Sequence, residues 1–126
     1  MTQDNVMAQD DRRQQVLTKA VFRAAEILGL TQAALAKVIG ISAASVSRMR
    51  AGDYQLDPNG KEWELSALLV RLYRGLDAIM AGDETALRAW MRNPNSDLHK
   101  PPVELIANVT GLTQTLAYVD AYRARV

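Results

Sequence analysis

The chain has no cysteine and a single histidine, His99, among its 126 residues. Disulfides and thiolate metal sites are therefore excluded, and one imidazole is too few for a histidine metal cluster, so no metal or other cofactor is expected. Long hydrophobic runs are missing too. Stretches such as "SALLV" (66–70) fall far short of the roughly 20 apolar residues that a membrane-spanning helix needs. The opening "MTQDNVMAQDDRR" lacks the apolar centre of a secretory signal, and the expectation is a cytoplasmic protein without a membrane partner. Strand-like alternation of apolar and polar residues is absent throughout, which leaves an all-α chain.

What is present is ordinary for a folded protein: 48% apolar and 23% charged residues. The net charge of +1 hides an asymmetry. Between Arg12 and Arg50 stand seven bases (Arg12, Arg13, Lys19, Arg23, Lys37, Arg48 and Arg50) against one acid, Glu26, a net of +6 that leaves −5 for the remainder. Such a split fits a nucleic-acid-facing half joined to a half with another task, or simply a solvated charged face.

Helices follow from apolar spacing. Residues 1–11 are polar, acidic and without periodicity, and read as a tail. Leu17, Val21, Ala24 and Leu28 then form one buried stripe, closed by Gly29. Thr31 is placed to cap a second helix ending at Gly40, and Ser42 a third that runs to about Ala51 before Gly52. After the connector "YQLDPNG" (54–60), Leu65, Leu69, Leu72, Leu76 and Ile79, with Leu68 beside them, give the longest seam. Gly82 breaks it, and Asp83 caps a short helix carrying Leu87, Trp90 and Met91. Beyond the proline-bearing loop "NPNSDLHKPP", Pro102 opens a helix with Val103, Ile106 and Val109 that Gly111 ends. A last helix from about Thr113 carries Leu116, Val119 and Tyr122 to the C-terminus. These elements divide the chain into a tail (1–11), a first unit (12–56) and a second helical unit (57–126).

The segment "LTQAALAKVIGISAASVSRMRAG" (30–52) has the parts of a helix-turn-helix: a small residue where two helices meet (Ala36), a turn glycine (Gly40), and apolar locks (Ile41, Val46, Met49). On a helical wheel Val46 and Met49 face the core, while Ala44, Ser47, Arg48 and Ala51 face out. That outward set suits a major groove, with alanine against a thymine methyl, serine on several base edges, and Arg48 paired bidentately with guanine as the leading base contact. Gln32 and Ser42 stand at helix N-termini and, with Ser45 and Arg50, are assigned to the phosphate backbone. Ser45, Ser47 and Arg50 taken singly are equally well read as solvated residues. These residues resemble the helix-turn-helix of Xre and phage-repressor-type regulators, whose members bind as dimers to palindromic half-sites.

The second unit shows no catalytic set. Glu62, Glu64, Asp83, Glu84, Glu104 and Asp120 are not spaced with a base or with one another for paired chemistry, and read as caps or solvated groups, so no enzymatic activity is expected. Trp63 and Trp90 read as core or interface anchors. "WELSALLVRLYRGLDAI", "RAWMRNPNSDLHKPPVELI" and "GLTQTLAYVDAYR" together resemble the toxin-binding domain of the Xre/MbcA/ParS-type antitoxins. The match includes Trp90 before an Asn95-bearing turn, the Pro102-to-Ile106 segment and Gly111, and departs at His99, Lys100 and Thr110.

The resemblance implies an antitoxin that binds and blocks a RES-domain, NAD-degrading toxin, represses its own operon, and assembles as a homodimer and in a higher-order toxin–antitoxin complex. Trp90 and Asn95 are the toxin-binding candidates in the loop region. On the last helix, read as free to enter a cleft, Asp120 or the Val126 carboxylate would suit a donor-rich pocket, whereas Arg123 and Arg125, beside Tyr122, would pair with acids or plug an entrance. The alternative is a stand-alone regulator whose second unit serves dimerisation or ligand binding.

Overall fold

Seven helices account for the regular structure in a computed structural model that describes residues 3–125: α1 (Gln3–Leu28), α2 (Gln32–Ile39), α3 (Ala43–Ala51), α4 (Lys61–Ile79), α5 (Glu84–Arg92), α6 (Pro102–Leu105) and α7 (Val109–Arg125). No strand occurs among the described residues. The stops fall where the glycines and caps demand them. Gly29, Gly40, Gly52 and Gly82 all take positive φ, the left-handed conformation that closes a helix at least cost. Thr31, Ser42 and Asp83 each accept a backbone N–H three residues on, at 3.0, 3.0 and 3.1 Å.

α4 is the spine. It packs against α1 and α2 on one side and α7 on another, and its seam residues Leu69, Leu72 and Leu76 are fully buried. Because it serves two sides, it also buries Ser66, Val70 and Gly75, which lie off a single apolar stripe. At Gly75 an added Cβ would stand 2.8 Å from a Val119 methyl of α7, so glycine sets the closeness of that crossing. One core runs from Val21 and Leu28 of α1 through Ile39 and Val46 to Leu87, Ile106 and Leu116.

Polar ties fasten the connector and the two ends of the chain. The Leu56 side chain is fully buried, its N–H donates to Thr18 Oγ1 (3.1 Å), and its carbonyl accepts from Gln14 Nε2 (3.0 Å). Arg88 of α5 donates to the Ile27 carbonyl at the end of α1 (3.3 Å) and lays its stem against Gly29. A cation there complements the negative end of the α1 dipole and joins the first helix to the second half of the chain.

Three expectations change. The tail assigned to residues 1–11 becomes helix from Gln3, because it contains no glycine or proline to stop a helix already nucleated by the packed part of α1 from propagating outward. The last helix begins at Val109 rather than Thr113, and Gly111 lies inside it instead of ending its predecessor. The Asn108 side chain accepts the Gly111 N–H (2.9 Å), and a Cβ on Gly111 would fall 1.8 Å from the Leu105 carbonyl oxygen. Glycine is needed there for close approach. Val109, placed by its spacing on the helix that Pro102 opens, instead begins α7 and is 56% exposed.

Candidate DNA-reading face and partner groove

α3 is held by its buried side and offers the other. Val46 and Met49 are buried against α2 and the core, whereas Ala44, Ser47, Arg48 and Ala51 are exposed, as the wheel predicts, and Arg50 is exposed as well. Ser42 is exposed at the N-terminus of α3, and Gln32 is half-buried at that of α2. Ser45 departs from its assignment as a backbone contact. It is buried, its N–H is taken by the Ser42 cap, and its Oγ accepts from the Ser42 hydroxyl (2.9 Å) and from Arg48 Nη2 (3.0 Å). An i, i+3 step turns it toward Ser42 and Arg48 rather than toward solvent.

Tyr54, in the connector and without any periodic signal, completes this face. The Arg48 guanidinium carbon sits 5.8 Å from the centre of the Tyr54 ring, within cation–π range. The Tyr54 hydroxyl donates to Glu62 Oε2 (2.6 Å), and the same carboxylate oxygen accepts the Asp57 N–H (2.9 Å). Burial first, and then the hydrogen bond to Glu62, push the Tyr54 hydroxyl up to about 12, so it remains a neutral donor at physiological pH. The positive charge of the first half is distributed unevenly. Arg12, Arg13, Lys19 and Arg23 line a furrow between α1 and α4, with Arg13 over the Trp63 ring, leaving Lys37, Arg48 and Arg50 on α2 and α3.

At the other end of α4 a groove of about 340 Å³ opens between α4, α5 and α7. Leu76, Ile79 and Met80 form one wall, Trp90 another, and Tyr118 and Tyr122 a third. Met80 and Trp90 also border a second groove, of about 420 Å³, that ends at Pro94 and Asn95. The structure thus brings together Trp90, Tyr122 and Asn95 of the residues singled out in the sequence, and adds Met80 and Tyr118, which had no signal beyond being apolar or aromatic. Asn95 Oδ1 accepts the N–H groups of Asp97 (2.8 Å) and Leu98 (3.1 Å), shaping the loop. The Tyr118 hydroxyl donates to Asp97 Oδ2 (2.8 Å), a bond that raises its pKa and ties α7 to that loop.

Asp120 stands apart from these grooves, ion-paired with Arg71 at 2.5 Å, so its carboxylate is already engaged. Arg123 and Arg125 are exposed in the last turn of α7, and Val126 lies outside the described residues. Among the described residues no cluster of His, Asp or Glu has the arrangement of a metal site, and no helix is long and apolar enough to cross a membrane.

Comparison with known families divides the chain inside α4. Residues 7–71 match the antitoxin Xre-like helix-turn-helix domain, and residues 76–125 match the antitoxin Xre/MbcA/ParS C-terminal toxin-binding domain. No curated protein matches the chain. Together the two matches span most of the chain, which belongs to the Xre-like antitoxins of type II toxin–antitoxin systems, joining a DNA-binding helix-turn-helix to an Xre/MbcA/ParS toxin-binding domain.

Proposed function

We propose that this antitoxin neutralises a RES-domain toxin that degrades NAD, by covering its active site, and that it represses its own operon. The observation that carries the inhibitory half is the paired groove about Trp90 and Met80, with Tyr122 and Asn95 at its two ends. An exposed apolar and aromatic concavity of this kind supplies the buried anchors on which protein interfaces depend. Asp120 is paired with Arg71, and the exposed Arg123 and Arg125 are charged groups of α7 open to the toxin, where pairing with acidic residues at its active-site entrance suits them. The chain acts here as a binding protein, without turnover of its own.

For the DNA half, Arg48 is the base contact, Ala44 and Ser47 let α3 approach the groove floor, and Gln32, Ser42 and Arg50 serve the phosphates. So short a face covers few base pairs, which favours a homodimer on a palindromic operator, with toxin-bound assemblies of higher order. Co-expression with the toxin tests the proposal. Growth and cellular NAD should be restored by the intact chain and lost again when residues 121–126 are deleted or Trp90 is replaced by Ala; retention of full neutralisation by both variants would refute this mode of inhibition.

A further inference from the structure

Arg48 does not stand free on α3. Its Nη2 donates to the buried Ser45 Oγ at 3.0 Å, and its guanidinium lies over the Tyr54 ring. The ring is itself fixed, through its hydroxyl, to Glu62 in the first turn of α4, and Glu62 is braced by the Asp57 N–H. A continuous set of contacts therefore runs from the spine of the molecule to the one long side chain on the reading face. We propose that Tyr54 is a positioning residue that holds Arg48 ready to read a base, an inference that rests on Arg48 being a base contact.

The chemistry supports this use. An arginine side chain is rich in rotamers, and a free one must lose much of that freedom on pairing bidentately with a base. A ring contact engages the cation without consuming any of its N–H donors, and a single Nη2–H goes to Ser45, so the remaining donors stay available for a guanine edge. Glu62 acts at one remove: the phenol stands between it and Arg48, so the carboxylate orients the ring without forming a direct ion pair that DNA would have to break.

The test uses the full chain and two duplexes, one carrying an operator selected from a random library by the wild-type protein and one of unselected sequence. Tyr54→Leu is expected to weaken binding to the selected duplex about three- to tenfold, the cost of immobilising one rotamer-rich side chain, with binding to the unselected duplex unchanged. Tyr54→Phe, which keeps the ring but loses its tie to Glu62, should fall between wild type and Tyr54→Leu. Adding Tyr54→Leu to Arg48→Ala should cost nothing further, whereas a merely structural role predicts additive losses. Tyr54→Met, flexible enough to fill the same space without a ring, replaces the leucine variant if that one does not fold. A loss for Arg48→Ala with none for the ringless Tyr54 variants, or additive losses, overturns this inference alone. No loss for Arg48→Ala overturns it together with the base reading on which it rests.

Discussion

Arg48→Ala is expected to weaken specific operator binding by about tenfold or more, since a bidentate base contact is worth about 1–3 kcal/mol, while circular dichroism shows unchanged helix content because the residue is exposed. Ser66 carries the opposite expectation. Its hydroxyl is buried and has no hydrogen-bond partner among the described residues, so Ser66→Ala should leave stability unchanged or raise it by about 1 kcal/mol in a urea melt. Tyr54 gives a pH dependence whose sign follows from its raised pKa. The folded chain holds the phenolic proton up to about pH 12 and the unfolded chain to about 10, so this contribution to stability is intact below pH 10 and lost as pH climbs to about 12. Glu62 and Asp57 reinforce the shift and Arg48 opposes it. Tyr54→Phe should flatten the alkaline part of a stability-against-pH curve. Little of this was legible in the sequence, because a tyrosine in "AGDYQLD" gives no sign of which side chains the fold will bring to it.

At the scale of elements, the helices were readable wherever local chemistry alone sets them. Thr31, Ser42 and Asp83 cap as their side chains and positions predict, and Gly29, Gly40 and Gly52 stop helices in left-handed conformations. Gly111 misled because a glycine that ends a helix and one that lets two backbones touch look alike in sequence. Two glycines inside helices differ in what a methyl group would meet. Gly111→Ala drives a methyl group into the Leu105 carbonyl, which has no rotamer to yield, and should cost about 3 kcal/mol or more. Gly75→Ala meets a methyl of the buried, β-branched Val119 at 2.8 Å, a milder clash than one with backbone, and alanine's better helix propensity returns about 1 kcal/mol. Denaturant midpoints should therefore fall much further for Gly111→Ala than for Gly75→Ala. Ser45 failed in sequence for a related reason: a wheel gives direction only, and Ser45 lies at the edge where the turn between Ser42 and Arg48 closes over it.

For the whole molecule, the decisive feature is that α4 belongs to both units. A boundary after residue 56 follows the composition of the connector, yet Leu69 and Leu72 of α4 fill the same core as Val21, Leu35 and Ile39, and Arg88 of α5 reaches back to α1. The intact chain should accordingly melt in one cooperative transition by calorimetry. A fragment ending at residue 56 should show none, because it lacks the helix that covers α1 and α2; a cooperative transition in that fragment would show the first unit to be autonomous.

The sequence by itself determined that the chain is all-α, where most helices stop, which side of α3 faces out, and that its two parts are those of a DNA-binding antitoxin. All of these rest on patterns within a few residues or on motifs that travel intact with a family. The tertiary structure alone decided that Ser45 is buried, that Tyr54 and Glu62 brace Arg48, that Asp120 is engaged by Arg71, and that Trp90, Met80, Tyr118 and Tyr122 share one groove. The groove and the Arg71–Asp120 pair join residues on different helices, across up to 49 positions for that pair, and the brace on Arg48 joins α3 to the connector and α4; the packing that brings these residues together leaves no trace in the spacing along any one element.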